Sequence, residues 1–204
     1  MEKYHSIYKH YEACFDKYGA SHQGVDWPNM EDLYRRFQVM LNVHTDNSPV
    51  KLLDFGCGNG LLYAYLEQKG VDNITYTGLD ISQKFIDFCQ ETYSGIPFIC
   101  SDITKDGLEG EFDYIICNGT FTEKMDLTFD EMFSFMSQII YILFQKCSKG
   151  IAFNVMSPYV DNEREDLFHV PTDHLLKYVV KNLSRNFIIR NDYGLYEYTV
   201  YVYK

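Results

Sequence analysis

The 204-residue sequence lacks long hydrophobic runs and contains little positive charge. No apolar segment approaches the roughly 18–20 residues that a membrane helix requires. The opening segment, MEKYHSIYKH, contains no apolar core of a signal peptide. Lysine and arginine number 18 against 29 acids, a net charge of −11, and no basic stripe follows the chain. The sequence therefore predicts an intracellular, cytoplasmic protein with neither a membrane nor a nucleic acid as partner.

Metal-ligand spacings are also missing. Six cysteines occur, but no two have the CxxC spacing of a zinc knuckle or a thioredoxin motif. We therefore interpret all six as reduced structural thiols. His169 and His174 would lie on different faces of a helix, which does not suit a shared ion. The sequence accordingly predicts no metal site.

Strands and helices alternate along the chain. Apolar runs of strand length cover 50–55, 74–80, 97–101, 112–117, 150–156, 187–191 and 196–203, and helical segments cover 30–43, 61–69, 82–93, 128–147 and 171–183. Apolar strands separated by helices are typical of a parallel sheet covered on both faces. Only a few residues around Gly194 join the last two strands, so these must form an antiparallel hairpin. We predict an α/β fold with one Rossmann-like seven-stranded sheet, mostly parallel, with an antiparallel C-terminal hairpin and helices on both faces.

A glycine-rich segment, DFGCGNG at 54–60, follows the first predicted strand. Glycine at every second position lets the backbone turn sharply and approach a ligand closely. The dinucleotide motif GxGxxG does not fit, because Leu61 stands where its last glycine would be, and the GxxxxGK[ST] loop of phosphate sites is absent. This segment therefore predicts a ligand at the strand ends that is bound differently from NAD.

Two further acids end the next two strands. Asp80 ends the second strand and can accept both ribose hydroxyls of an adenosine. Asp102 ends the third strand, where a carboxylate can accept the exocyclic amine of adenine. Because ligands of open α/β sheets bind beyond the carboxyl ends of the strands, the three segments should meet at one edge.

Four segments together resemble the motifs of the class I S-adenosylmethionine-dependent methyltransferases: LLDFGCGNG, GLDIS, CSDI and FDYIICNGTF. The resemblance implies S-adenosylmethionine as cofactor and S-adenosylhomocysteine as product. It implies that the glycine-rich segment 54–60, called the glycine loop below, contacts the methionine portion of the cofactor. It also implies that Asp80 contacts the ribose, that Asp102 contacts the adenine and that Asn118 lies beside the sulfonium. The cofactor-binding residues implied in this way are Asp54, Phe55, Gly56, Cys57, Gly58, Asp80, Ile81, Asp102, Ile103, Asn118 and Gly119.

Two N-terminal residues are further candidates for the cofactor site. Arg36 could reach the methionine carboxylate, which a guanidinium binds in bidentate geometry, or could equally lie on a helix surface. Trp27, the only tryptophan, could cover the site or pack in the core. More loosely, GVDW at 24–27 and AFNVMSPYVD at 152–161 resemble small stand-alone bacterial methyltransferases of surface-polysaccharide or other small-molecule biosynthesis.

The methyl acceptor is expected to be a small polar molecule, with oxygen preferred to nitrogen. Adenine and glutamine N-methyltransferases carry Asn or Asp, two prolines and an aromatic residue after the fourth strand, whereas this chain has NGTF at 118–121. Methylation of an oxygen acceptor usually needs a general base, whereas a neutral amine depends less on one. The candidate catalytic residues are Asp161, His169 and Glu197, and the candidate substrate contacts are Phe121, Tyr159 and Tyr196.

We expect a single methyltransferase domain over 1–204, acting as a monomer or a homodimer. A helical extension would cover 1–45, a cofactor-binding half 50–156 and a substrate-side half 157–204. Four alternatives stay open at this point: an N-methyltransferase of a small amine, a non-catalytic binder of S-adenosylmethionine, a nucleic-acid methyltransferase, and an NAD-dependent oxidoreductase. A nucleic-acid methyltransferase would require a basic face, which this composition disfavours. The glycine spacing disfavours the oxidoreductase.

Overall fold

A computed structural model describes residues 4–204, so residues 1–3 of the predicted N-terminal extension lie outside the described residues. The seven strands form one sheet in the order β3-β2-β1-β4-β5-β7-β6. The strands are β1 Val50–Phe55, β2 Ile74–Asp80, β3 Phe98–Cys100, β4 Phe112–Cys117, β5 Cys147–Met156, β6 Phe187–Arg190 and β7 Glu197–Tyr203. Strands β1 to β5 pair in parallel, and β7 pairs antiparallel with both β5 and β6. The predicted fold class is confirmed.

Several of the helices begin at a side chain that caps them. The helices are α1 His5–Tyr18, α2 Met30–Leu41, α3 Leu61–Lys69, α4 Gln83–Thr92, α5 Ile103–Asp106, α6 Phe129–Lys146 and α7 Thr172–Asn182. Asn29 caps α2, Ser82 caps α4, and Thr128 with Glu131 forms a capping box on α6. Each cap satisfies an amide that would lack a partner at a helix start. The sequence did not predict the four-residue α5 or the 3-10 helix Gln23–Val25.

Hydrophobic side chains fill the space on both faces of the sheet, as expected for apolar strands buried on both sides. On one face, Leu53, Ile115 and Phe153 pack in the cluster that includes α6 and α7. On the other, Leu52 and Ile116 pack in the cluster that includes α2, α3 and α4. The alternation of these strand residues between the faces follows from the two-residue period of a strand.

Helix α1 crosses the edge of the sheet where the parallel strands end. Phe15 packs edge-on against Phe85 of α4, with ring centroids 5.1 Å apart. At the other end of α1, the Tyr4 hydroxyl donates a 2.7 Å hydrogen bond to Asp102 beyond β3. The ion pair between Asp16 and Lys84 adds an exposed contact. The N-terminal helix therefore covers the strand ends at which the sequence predicts a ligand.

No helix within residues 4–204 combines the length and the apolar character that crossing a bilayer requires.

Candidate active site

A cavity of about 150 Å³, partly open to solvent, lies at the carboxyl ends of β1, β2 and β4, beneath α1. Ten of the predicted cofactor residues line it: Trp27, Phe55, Gly56, Gly58, Asp80, Ile81, Asp102, Ile103, Asn118 and Gly119. Segments from five different parts of the sequence thus meet around one space.

The glycine loop after β1 forms the floor of this cavity. Gly56 and Gly58 have φ angles of 76° and 51°, the left-handed region that side chains disfavour. A Cβ on Gly56 would lie 2.6 Å from the Thr120 hydroxyl oxygen, and one on Gly58 would lie 2.9 Å from Val25. Glycine is therefore needed both for the turn and for the space, and backbone atoms are left facing the cavity.

Asp80 holds this loop against the end of β2. Its carboxylate accepts 2.9 Å hydrogen bonds from the backbone amides of Gly58 and Ser82, and the residue is 8% exposed. Burial raises the pKa of Asp80, although the two amides act in the opposite direction. A carboxylate offers about four acceptor positions, so these contacts leave room for ligand hydroxyls.

Asp54 was predicted to bind the cofactor, but its side chain lies outside the cavity. The side chain is buried and accepts a 2.8 Å hydrogen bond from the Tyr76 hydroxyl. Burial raises the pKa of Asp54 to about 7, while the bond from Tyr76 counteracts part of the shift. Cys57 is likewise buried and does not line the cavity. Both residues support the loop from behind.

Replacing Asp54 by asparagine should reduce the pH dependence of stability. Because the folded protein favours the neutral carboxyl, the wild type should lose about 2 kcal/mol of unfolding free energy between about pH 5 and about pH 7. Asparagine does not titrate, and its carbonyl oxygen can still accept from Tyr76. Denaturant unfolding of both ligand-free proteins across this range measures the effect. Equal pH slopes in the two proteins would contradict the expectation.

Asp102 lines the cavity but has several protein partners. It accepts from the Tyr4 hydroxyl at 2.7 Å, Lys105 Nζ at 2.7 Å and the Thr104 hydroxyl at 2.6 Å. Partial burial would raise the pKa of Asp102, but these hydrogen bonds outweigh it and lower the value to about 2. The carboxylate thus holds α1 on the sheet, and its contact with adenine stays a prediction.

Trp27 and Gly119 form another wall of the cavity. A Cβ on Gly119 would lie 2.5 Å from the Trp27 ring, so only glycine allows this approach. The Gly119 amide donates a 2.8 Å hydrogen bond to Asn154 Oδ1. Of the two sequence interpretations of Trp27, the structure favours a position against the ligand space.

Arg36 and Glu197 form a buried ion pair behind this wall. Nε and Nη2 of Arg36 each lie 2.8 Å from Glu197 Oε2, and Asn154 donates to Oε1 at 2.8 Å. The guanidinium also lies 4.1 Å from the centre of the Trp27 ring. Neither charged residue lines the cavity. Glu197, 1% exposed and fully engaged, is therefore not placed to act as a base, which corrects the sequence interpretation.

Arg36 retains one unused donor. Its Nη1 is buried without a hydrogen-bond partner among the described residues. A bound carboxylate could satisfy this nitrogen, so contact with the methionine portion of the cofactor stays a prediction.

The other predicted catalytic and substrate residues do not line the cavity. His169 borders a separate surface depression, and its Nδ1 lies 2.7 Å from the Ser157 carbonyl oxygen. Tyr159 and Tyr196 are 85% and 57% exposed, and the Tyr196 hydroxyl donates to Asp161. Phe121 is wholly buried in the core. The loops after β5 and before β7 therefore do not surround the cavity as the topology suggested.

Helix α1 supplies a wall that the sequence interpretation missed. Tyr4, Tyr8 and Tyr11 line the cavity from this helix, together with Ile7. Their spacing of four and three residues places them on one helix face, and YHSIYKHY shows that periodicity. The sequence therefore contains this pattern, although this segment has none of the glycine and acid motifs that mark the strand ends. We call Tyr4, Tyr8 and Tyr11 the tyrosine wall.

Fold and cavity together define a Rossmann-like protein that binds a ligand beyond the carboxyl ends of its central strands. Residues 46–182 match the family described as methyltransferase domain. The chain belongs to this family and is an S-adenosylmethionine-dependent methyltransferase, as the motifs predicted.

Individual relatives agree with this assignment. The Mycobacterium tuberculosis protein named as methyltransferase Rv1506c is 28% identical over 161 residues, covering 76% of this chain and 94% of that protein. Magnesium protoporphyrin IX methyltransferase from Synechocystis, solved with bound S-adenosylhomocysteine, superposes with a TM-score of 0.66 at 17% identity over 98% of this chain and 99% of that one. A Leishmania major S-adenosylmethionine-dependent methyltransferase gives a TM-score of 0.69 at 15% identity over 99% and 83% of the two chains.

Proposed function

We propose that the protein methylates an oxygen atom of a small molecule that binds between the glycine loop and the tyrosine wall. The observation that carries this proposal is that one cavity contains both features. The glycine loop fits the cofactor, because Gly56 and Gly58 line the cavity with main-chain atoms alone, which lets a ligand approach the backbone closely. The cofactor supplies a methyl group on a sulfonium that already carries its positive charge. The protein then needs mainly to align the acceptor with that group.

The tyrosine wall would orient the acceptor. Tyr8 and Tyr11 present flat, mostly apolar faces with a hydroxyl at one end, which suits a small molecule with both ring and hydroxyl character. Burial raises the pKa of Tyr11 well above its usual value, and the nearby charges of Glu123 and Asp26 act in the same direction. Tyr11 therefore stays neutral near pH 7 and can donate or accept a hydrogen bond at an acceptor oxygen.

The charge of the chain supports the proposed substrate class. A net charge of −11 favours a small uncharged or cationic acceptor over nucleic acid. We further propose cytoplasmic action, as a monomer or homodimer, in small-molecule or surface-polysaccharide biosynthesis. A small amine is the second candidate acceptor. The observation that favours it is that Glu197, His169 and Asp161 do not line the cavity, because a neutral amine needs no base.

Mass spectrometry of ligand carried through purification and calorimetry with S-adenosylmethionine, S-adenosylhomocysteine and NAD test cofactor choice. Turnover of hydroxylated and amine acceptor pools, followed by formation of S-adenosylhomocysteine, then separates oxygen from nitrogen acceptors. Binding without turnover on either pool would indicate a non-catalytic binder and reject the proposed reaction.

Once an acceptor is found, Tyr11→Phe should reduce kcat/KM about tenfold, the value of one lost hydrogen bond of about 1.4 kcal/mol. The cofactor Kd should stay within about twofold, because the proposed contact is with the acceptor. Tyr141→Phe, on the exposed side of α6, is the matched control and should behave like the wild type. Full activity of Tyr11→Phe would remove this hydroxyl from the reaction.

A further inference from the structure

Four potential metal ligands converge beside the tyrosine wall. His10 and Cys14 are one turn apart on α1, Asp26 follows the 3-10 helix, and Glu123 lies in the loop after β4. His10 Nε2 lies 2.8 Å from Asp26 Oδ2, 3.7 Å from Cys14 Sγ and 3.8 Å from Glu123 Oε2. The ligand atoms of His10, Cys14 and Asp26 all lie within 4.8 Å of one another. Three acceptor-type atoms thus surround one ring nitrogen.

Hydrogen bonds alone do not satisfy this cluster. One imidazole nitrogen carries at most one hydrogen, so Nε2 can donate to only one of its three neighbours. Glu123 is 8% exposed, and its Oε2 has no hydrogen-bond partner among residues 4–204. A buried carboxylate oxygen without a partner is costly, and this one points toward the histidine nitrogen. The cluster therefore has a ligand atom that the protein leaves unsatisfied.

Electrostatics favour a cation at this point. Two carboxylates, those of Asp26 and Glu123, lie within 3.8 Å of the same His10 nitrogen, and Glu123 is 8% exposed. A positive ion among these groups would offset their mutual repulsion.

We propose that His10, Cys14, Asp26 and Glu123 bind one divalent transition-metal ion, most suitably Zn²⁺. Zinc takes four such ligands in a tetrahedron, at about 2.0–2.2 Å from nitrogen or oxygen and about 2.3 Å from sulfur. Those bond lengths require ligand atoms about 3.3–3.8 Å apart. The distances from His10 Nε2 to the other three ligand atoms lie between 2.8 and 3.8 Å, so metal binding would require these side chains to shift into the tetrahedral spacing.

The ion would join three separate segments. It would tie α1, which carries the tyrosine wall, to the loop that precedes Trp27 and to the loop after β4. Four protein ligands leave no open position for a substrate, which is typical of a structural zinc site. The role that follows is to hold the wall of the cavity in place, and it does not depend on which acceptor is methylated.

Cobalt(II) titration of the metal-free full-length protein tests the site directly. One equivalent should give the intense visible bands of tetrahedral cobalt and a near-ultraviolet thiolate-to-cobalt charge-transfer band, and Zn²⁺ should displace both. Cys14→Ser should abolish the charge-transfer band. Cys100→Ser, at an exposed cysteine elsewhere, is the matched control and should leave the spectrum unchanged.

Glu123→Gln gives a second, independent test that removes a ligand charge while keeping the side-chain shape. Its cobalt affinity should fall at least about tenfold, and Zn²⁺ should raise its Tm less than it raises that of the wild type. Circular dichroism would establish that each variant is folded. A thiolate band that persists in Cys14→Ser, an octahedral spectrum, or no saturable binding would each overturn the proposal.

Discussion

Arg36→Ala should lower the unfolding free energy by about 3–5 kcal/mol, the typical loss when one partner of a buried ion pair is removed. Glu197 would then remain 1% exposed without its cationic partner, keeping its bond from Asn154. Trp27 would also lose the guanidinium that lies 4.1 Å from its ring. Denaturant unfolding followed by circular dichroism measures the change.

The chain provides a matched control on the same helix. Arg35 pairs with Glu31 at 3.1 Å, but the Glu31 side chain is 84% exposed. Arg35→Ala should therefore cost no more than about 1 kcal/mol, as for surface ion pairs. The double variant Arg36→Met with Glu197→Gln should recover part of the loss, because it leaves no unpaired charge. Equal losses from Arg36→Ala and Arg35→Ala would show that the buried pair does not stabilise the fold.

Asp80→Ala should weaken the binding of S-adenosylmethionine by about 1.5–3 kcal/mol, or roughly 10- to 150-fold, the range for hydrogen bonds to a charged group. Two effects combine in this expectation. The variant would lose an acceptor for ribose hydroxyls, and it would release the Gly58 amide that shapes the loop. Isothermal titration calorimetry measures the change in Kd.

Asp113→Ala is the control for this experiment. Asp113 accepts a backbone amide from Lys51 at 2.9 Å, much as Asp80 does, but it lies near the opposite end of the strands and does not line the cavity. Its loss should leave the Kd within about twofold of the wild type. An unchanged Kd in a folded Asp80→Ala protein would remove this carboxylate from the cofactor site.

The sequence-based prediction was correct for features that a few neighbouring residues determine. Pro171, Ser82 and the pair Thr128 and Glu131 stand at helix starts because unsatisfied amides there need a cap or tolerate proline. The GxGxG segment lies at the cavity because only glycine adopts its turn. Capping and turn formation involve residues that are neighbours in the chain, so they can be recognised in a single sequence.

The prediction failed where the role depends on a distant partner. Glu197 was a candidate base, but Arg36, 161 positions away, binds it in the interior. His169 was another candidate base, yet it borders a different depression from the one beneath α1. The spacing of residues along the chain reveals neither the partner of Glu197 nor the position of His169 in the fold.

The sequence by itself determined the sheet, its antiparallel hairpin and the glycine loop, because periodicity, capping and turn formation are local and depend on few neighbours. Tertiary structure alone decided which residues outside the strand-end motifs border the cavity. Helix α1 folds over the strand ends through Phe15, Asp16 and Tyr4, and this docking brings the tyrosine wall and His10 to the site. That docking depends on contacts between residues about 70 to 100 positions apart, such as Tyr4 with Asp102. Burial and charge pairing across such distances arise only once the chain is folded.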